Sequence, residues 1–580
     1  MGVPGFFAYL WKKYKSKKFV FNKSNKFQDM HYLVKNNSRL YLDTNCAIHP
    51  VCFKILSENE NFNDYDDLHR KMILAVLDYI NYLYEFTKPT ELFYISIDGV
   101  APSAKLKQQR SRRFKSVKER KLMDSIKKKH GKEIKPFWTN SCISPGTKFM
   151  ENLTLAITDY CKEIKSKNKD LKIIFSTSNT PSEGEHKILQ HIRLNPTENN
   201  ENIMIYGLDA DLIFLALSTA VNNIYLLRES TDMEGGNATD GVLNYTSVDI
   251  MKECILLEFN SYFSAEEKEN VQELDRDRII DDFILICYFL GNDFLPNIPS
   301  LDIRMYNKDL KNGIDLLIEV YTDIYKENNE YIISKNPVDI NLPLLIKFIN
   351  KLAVYEKNFF IKKSNLRKRW GRRCDSNDPY DKEVHKIRNL SFKIKDPIRL
   401  GQDSEKEWKF RYYKHYFHSS FEQTKFVKEL SYEYIIGLYW IAHYYFDKCI
   451  SWSWYYPYEH SPLISDIAIH IKTFDKTENI NFNLSEPLEQ FEQLLSILPS
   501  ESNFLLPKDL RHLMKDKKSP LQHLYPFDYE LDYLDKSKYW QTIPNLPSMN
   551  IKLIRNAYKK IKVSEEYKQR NLKIKPIIFE

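Results

Sequence analysis

What is scarce in this chain limits it first. Its eight cysteines are scattered without one Cys-x-x-Cys pair, so neither a zinc ribbon nor a disulfide framework is indicated and a reducing compartment fits. Long apolar runs are missing. The longest, FILICYFLG from Phe283 to Gly291, is about half of the roughly 20 residues that cross a bilayer. The start, MGVPGFFAYLWKKYKSKK, carries its positive charge after the apolar patch, the wrong order for a secretory signal. Phe6 stands where a myristoylation site wants Ser or Thr. Glycine is rare, 15 in 580 residues, while Lys, Asn, Ile and Tyr abound, the bias of an AT-rich genome. These absences argue against a membrane or secreted protein and predict a soluble, cytoplasmic chain.

What is present is a large core. With 43% hydrophobic and 14% aromatic residues, the chain can bury two to four associated domains. The net charge of +8 is modest and matters through its placement. Up to about residue 350, the runs RLYLDTN, LFYISIDG, LKIIFSTS and NIMIYGLDADLIFLAL read as strands. KMILAVLDYINYLYEF and DDFILICYFL read as helices. Such alternation predicts an α/β fold, a mostly parallel sheet flanked by helices. Three regions are predicted: 1–350 as the α/β unit, 351–410 as a charged insertion or linker, and 411–580 as a helical, aromatic-rich second region.

Several strand-like runs finish on acids. Asp43 closes RLYLD, Asp98 closes LFYISID, and Asp209 and Asp211 follow NIMIYGL. Glu183 and Glu185 follow KIIFSTSN, and Asp293 follows an apolar helix. In open α/β sheets ligands sit at the carboxyl ends of strands, so these acids are expected to converge. The i, i+2 spacing of Glu183 and Glu185 shares one face only if the backbone there is extended. Seven gathered carboxylates repel one another unless cations neutralise them, and an all-oxygen set suits Mg²⁺ or Mn²⁺. Two such ions would serve phosphodiester hydrolysis. Taken singly, any of these acids could instead be a helix cap or turn residue.

A dense basic segment follows Asp98 at once. Lys105, Gln109, Arg112 and Arg113 are spaced i, i+4, i+7, i+8, which places them on one helix face. Four such donors could hold a phosphate near a reacting bond. Alone, the segment could equally be a solvated basic face.

Taken together, MGVPGFF, LDTNCAIH, IDGVAPSAKLKQQRSRRFK, ISPGTKFM, PSEGEHKI, IYGLDADLIFLAL and DDFILICYFLGNDFLPNIPSL resemble, in order, the motifs of the XRN family of 5′→3′ exoribonucleases. Downstream, GLYWIAHYYFDKCISWSWYYPYEHSPLISDI, PLEQFEQLLSILP and SPLQHLYP resemble the family's second region. The likeness covers nearly the whole chain outside residues 360–405. It implies a PIN- and flap-nuclease-like catalytic core in residues 1–350, with the second region completing the pocket. It implies processive degradation of 5′-monophosphorylated single-stranded RNA to mononucleotides with two Mg²⁺ ions, for which Mn²⁺ can substitute. The seven acids fall on the family's catalytic metal site, and Lys105, Gln109, Arg112 and Arg113 on its 5′-phosphate pocket. His49 matches a histidine that stacks on a terminal base, and Trp540 matches its aromatic partner. RNA and decapping or decay factors are the expected partners, and no membrane.

Three positions depart from the family pattern. Cys46 replaces a usual Gly, and Ser182 and Ser103 replace a Gly and an Arg. The chain reads as a compact, viral member without the long C-terminal extension of the cytoplasmic eukaryotic enzyme. Two other readings stand beside it: a flap-type DNA endonuclease, whose helix-hairpin-helix glycine pattern is not evident, and an inactive RNA-binding scaffold, which would have lost some of its acids.

Overall fold

The computed structural model describes residues 6–14, 20–22, 37–196, 201–207, 209–229, 243–270, 273–303, 311–366, 374–419 and 423–580. Seven strands and a C-terminal strand, Ile577–Phe579, form one eight-stranded sheet. In chain order these are β1 (Val20–Asn22), β2 (Asn37–Asp43), β3 (Leu92–Ser96), β4 (Lys172–Ser176), β5 (Asn202–Tyr206), β6 (Ile224–Glu229) and β7 (Leu243–Ser247). Across the sheet the order is β1-β7-β6-β5-β2-β3-β4 and then the C-terminal strand. The five central strands, β6 to β4 in that order, run parallel. Antiparallel pairing is confined to the two margins. The mostly parallel α/β sheet is therefore as the sequence predicts.

Period-two alternation divides the strand side chains between two cores. Tyr41, Tyr94, Ile203 and Ile205 enter one apolar cluster, while Leu40, Leu42, Phe93, Ile95, Met204 and Tyr206 enter the other. Both faces are covered, which is why these strands read as near-continuous apolar runs. NIMIYGLDADLIFLAL is not strand throughout: only Asn202–Tyr206 is, and Ala210–Leu217 is a helix. The Asp209 carboxylate accepts from the Asp211 N–H and caps that helix. A periodicity argument cannot separate a buried strand from a short buried helix in one apolar run.

The basic segment is a 27-residue helix, Ser103–Lys129. Leu106, Arg110, Phe114 and Val117 lie on its buried face; Leu106 and Phe114, with Val100 just before the helix, join Phe491, Leu494 and Leu498 of the C-terminal part in a third cluster. The region 351–410 holds helices Glu356–Leu366 and Pro379–Arg388 and the start of Glu405–Phe417. Glu383, on the second of these, meets His130 at 2.7 Å and Lys129 at 2.9 Å at the tip of the basic helix. Residues 367–373 of that region lie outside the described ones. A 24-residue helix, Gln423–Phe446, is buried in the largest core along most of its length. Among the described residues no helix is long and apolar enough to cross a membrane.

Candidate functional site

Sheet register lines up the carboxyl ends of the strands. Asp43 lies opposite Ser96, Ser96 opposite Ser176, and Leu42 opposite Tyr206. The chain builds outward from β2 through β3 to β4 and then returns to place β5 on the other side of β2. That reversal is a topological switch point, where a crevice opens. Asp43 ends β2 on one side of it, and Asp209 and Asp211 follow β5 on the other.

Glu183 is the cap residue of the helix Gly184–Leu194, in extended backbone, and Glu185 lies in its first turn. Gly184 between them touches two more acids. A Cβ there would stand 2.9 Å from Asp43 Oδ1 and 3.3 Å from Asp98 Oδ1, and the Gly184 N–H donates to Asp98 Oδ1 at 2.7 Å. Only the absence of a side chain lets this helix end reach both carboxylates. Asp98 is fixed from its other side by Asn45, whose Nδ2 donates to Oδ2 at 2.9 Å. Asp293 joins through Lys105, whose ammonium pairs with Asp293 at 2.8 Å and with Glu183. The structure thus brings all seven predicted acids to one crevice.

Their electrostatics are those of an under-neutralised cluster. Burial, and then the charge of Asp98, pushes Asp43 up to about 7. Burial, then Asp293 and Asp209, pushes Asp211 up to about 7. Burial also raises Glu183 and, more strongly, Glu185. Burial alone would lower Lys105, but Asp293 and Glu183 outweigh it and keep the ammonium charged. Lys105 alone cannot balance this many carboxylates.

The cluster fits a divalent cation on the evidence of its donors. Asp43 Oδ1 is buried without a hydrogen-bond partner, an orphan that a cation would satisfy. Ligand atoms of Glu183, Glu185 and His186 lie within 4.8 Å of one another, and carboxylate oxygens suit a hard ion.

The four predicted phosphate ligands divide into two groups. Lys105 is committed to the acids. One to two turns on, Arg113 donates to Gln109 Oε1 at 3.4 Å and to Ser144 Oγ at 2.7 Å, while Arg112 is exposed. Burial, then Arg112, pulls Arg113 down to about 9. His49 faces the same arginines: burial, then the charge of Arg112, pulls it down to about 4, so its ring is neutral at pH 7. Trp540 is 49% exposed, not a core side chain. Its carbonyl accepts from Lys115, which also donates to the Thr542 carbonyl at 3.0 Å. It therefore sits beside the basic helix, one turn beyond Arg112.

Sequence reasoning missed several residues here. Asn45 and Ser144 hold Asp98 and Arg113, and the Cys46 thiol donates to Asp43 Oδ2 at 2.9 Å. Tyr444 and Tyr445, from the second region, donate to Glu183 Oε1 at 2.8 Å and Asp211 Oδ1 at 3.1 Å. The only signal for the tyrosines was their place in an aromatic helical run, which reads as core.

A parallel sheet whose strand ends gather acids in one crevice beside a cationic helix defines the PIN-like class of nuclease folds. Residues 1–230 match the family model described as "XRN 5'-3' exonuclease N-terminus", and residues 273–393 and 381–579 match "Xrn1 helical domain". The chain belongs to the XRN family. It is 30% identical to the 5'-3' exoribonuclease 2 of Arabidopsis thaliana, over 90% of this chain and 62% of that protein. It is 31% identical to the 5'-3' exoribonuclease 1 of Homo sapiens, over 96% of this chain and 34% of that protein. For the 5'-3' exoribonuclease 1 of Saccharomyces cerevisiae the figures are 28%, 100% and 44%. The chain spans between a third and two thirds of the length of these relatives.

Proposed function

We propose that this chain is a processive 5′→3′ exoribonuclease that hydrolyses 5′-monophosphorylated single-stranded RNA to mononucleotides. The observation that carries this reading is the meeting of seven carboxylates in one crevice with a cationic helix face directly beside it. The names of its curated relatives support the reaction and the direction.

In this reading Gln109, Arg112 and Arg113 grip the terminal phosphate, with Arg supplying bidentate donors. The Ser144 hydroxyl fixes the orientation of Arg113. His49, kept neutral by burial, stacks on a terminal base, and Trp540 offers an exposed ring to the same strand. Such stacking is tolerant of sequence, as a processive enzyme requires. The phosphate grip and the acid cluster are joined through Lys105, so the linkage exposed to the acids is the first one in the chain. Asp43, Asp98, Glu183, Glu185, Asp209, Asp211 and Asp293 would hold two Mg²⁺ or Mn²⁺ ions. When bound, such ions activate water and stabilise the leaving oxyanion. Lys105 offsets part of the negative charge that the scissile phosphate adds on entering.

The test compares the wild type with Asp209→Ala and Asp211→Ala on 5′-monophosphorylated single-stranded RNA, flap DNA and metal-free controls. Mononucleotide release from RNA with Mg²⁺ is expected from the wild type alone, with a loss of about a hundredfold or more in each variant and RNA binding retained. Release from flap DNA instead, or substantial turnover in either variant, overturns the reading.

A further inference from the structure

The last turn of the helix Gln423–Phe446 brings the second region to the acid crevice. Tyr444 and Tyr445 are adjacent there, and their hydroxyls go to different acids: Glu183 Oε1 at 2.8 Å and Asp211 Oδ1 at 3.1 Å. Glu183 follows β4 and Asp211 follows β5, so the pair ties together acids from separate parts of the sheet. Between the two rings lies His186. Its ring lies 3.8 Å from Tyr444 with the planes 33° apart, and meets Tyr445 edge-on at 5.7 Å and 84°. Behind Tyr444 the column continues through Trp440 at 4.8 Å and Trp454 at 5.0 Å, and the Trp440 Nε1–H donates to the Ser451 carbonyl at 2.9 Å. Behind Tyr445 stands Tyr288 at 5.2 Å. Both tyrosines are buried.

Buried tyrosines meet carboxylates elsewhere in this chain, Tyr321 on Asp282 and Tyr413 on Asp466. What sets Tyr444 and Tyr445 apart is that, side by side on one helix, they reach two acids of the same crevice, each on one oxygen. On Glu183 the donated bond occupies Oε1 and leaves Oε2 turned to Lys105. Hydrogen bonds of this kind to ligating carboxylates fix their rotamers, and their removal typically costs 10–100-fold in metal affinity or activity. The rigid column supplies what a flexible acid lacks, a defined direction for its second oxygen.

We propose that Tyr444 and Tyr445 are positioning residues through which the helical region orients Glu183 and Asp211 for a divalent cation. The inference rests on the proposed reading that the acid crevice holds such an ion. It adds that the ion's affinity is set from the second region, residues far along the chain from every acid.

The experiment uses the full chain with Tyr444→Phe, Tyr445→Phe and the double substitution, which remove only the hydroxyls and keep the stacked rings. Tyr439→Phe is the control, because it lies on the same helix and donates to the Ile340 carbonyl at 3.4 Å. Mn²⁺ binding is read by electron paramagnetic resonance without RNA, and the Mg²⁺ concentration for half-maximal hydrolysis is read alongside it. Each single variant is expected to weaken Mn²⁺ binding and raise the Mg²⁺ requirement about tenfold or more, with RNA affinity in Ca²⁺ unchanged and activity largely restored by excess Mg²⁺. Tyr439→Phe is expected to match the wild type. Unchanged Mn²⁺ binding in both single variants overturns the inference while leaving the nuclease reading intact. Equal weakening in Tyr439→Phe also overturns it, since that would be general loosening of the helix. Failure of the wild type itself to bind Mn²⁺ overturns the reading of the crevice, and the inference with it.

Discussion

Ser182 stands beside the acids with φ +95°, a backbone that glycine adopts freely and side chains resist. It is held there by its N–H donating to the Val100 carbonyl at 2.8 Å and its carbonyl accepting from Gly99 at 2.9 Å. Ser182→Gly is expected to stabilise the protein by about 1 kcal/mol, the low end of the cost of such strain, read as a raised urea midpoint with unchanged slope; a lowered midpoint would show that the hydroxyl matters more than the backbone. His49 carries the second prediction. Its folded value of about 4 lies below the ordinary 6.5, so between those limits the unfolded chain binds more protons. Stability from this group is full above about pH 6.5 and falls as pH drops towards 4. His49→Phe keeps an aromatic ring but cannot titrate, so between pH 7 and 4.5 the wild type should lose roughly 2 kcal/mol more than the variant. Equal losses in urea titrations at the two pH values would remove the buried, neutral histidine. The acids were legible one by one because each follows an apolar run, a strand or, for Asp293, a helix; Tyr444 and Tyr445 were not, because a buried tyrosine and a positioning tyrosine have the same neighbours in sequence.

Along the basic helix, spacing predicts four donors on one face of what is a helix, yet it could not say that Lys105 would turn to the acids and Arg113 to Ser144. That division depends on what the helix meets: Glu183 and Asp293 at its first turn, Ser144 and His49 two turns on. The two groups should therefore fail differently. On the proposed reading, Arg112→Ala or Arg113→Ala removes bonds to the 5′-phosphate, each worth about 1.5–3 kcal/mol. Either should slow 5′-monophosphate RNA by roughly 10–100-fold while leaving 5′-hydroxyl RNA nearly unchanged. Lys105→Met strips the cluster of its buried cation and should slow both substrates alike. Initial rates on the two RNAs decide this; an unchanged ratio in both arginine variants would leave only a solvated basic face, whose effects fade with salt. The same limit applies to NIMIYGLDADLIFLAL, where the strand-to-helix change was invisible in the apolar pattern and marked only by the capping Asp209.

Across the whole molecule the two halves are not separable units. The largest core runs from Phe6 to Leu534, and the C-terminal strand pairs with β4 in the register Ile577 to Phe175. The crevice is likewise shared, with its acids from the first part of the chain and Tyr444 and Tyr445 from the second. The sequence pattern made the sheet legible because its signals are local, but contacts between residue 183 and residue 444 carry no local signature. A chain cut between Arg388 and Glu405 tests this interdependence. Residues 1–388 alone would expose the apolar side chains that pack on the helix Gln423–Phe446, and a patch of that size promotes aggregation. That fragment is expected to be insoluble or unfolded and inactive, whereas co-expression with residues 389–580 should yield a copurifying, Mg²⁺-dependent complex. Cooperative unfolding together with RNA hydrolysis by the first fragment alone would show instead that the α/β sheet and its acids are self-sufficient, and that the helical region only covers them.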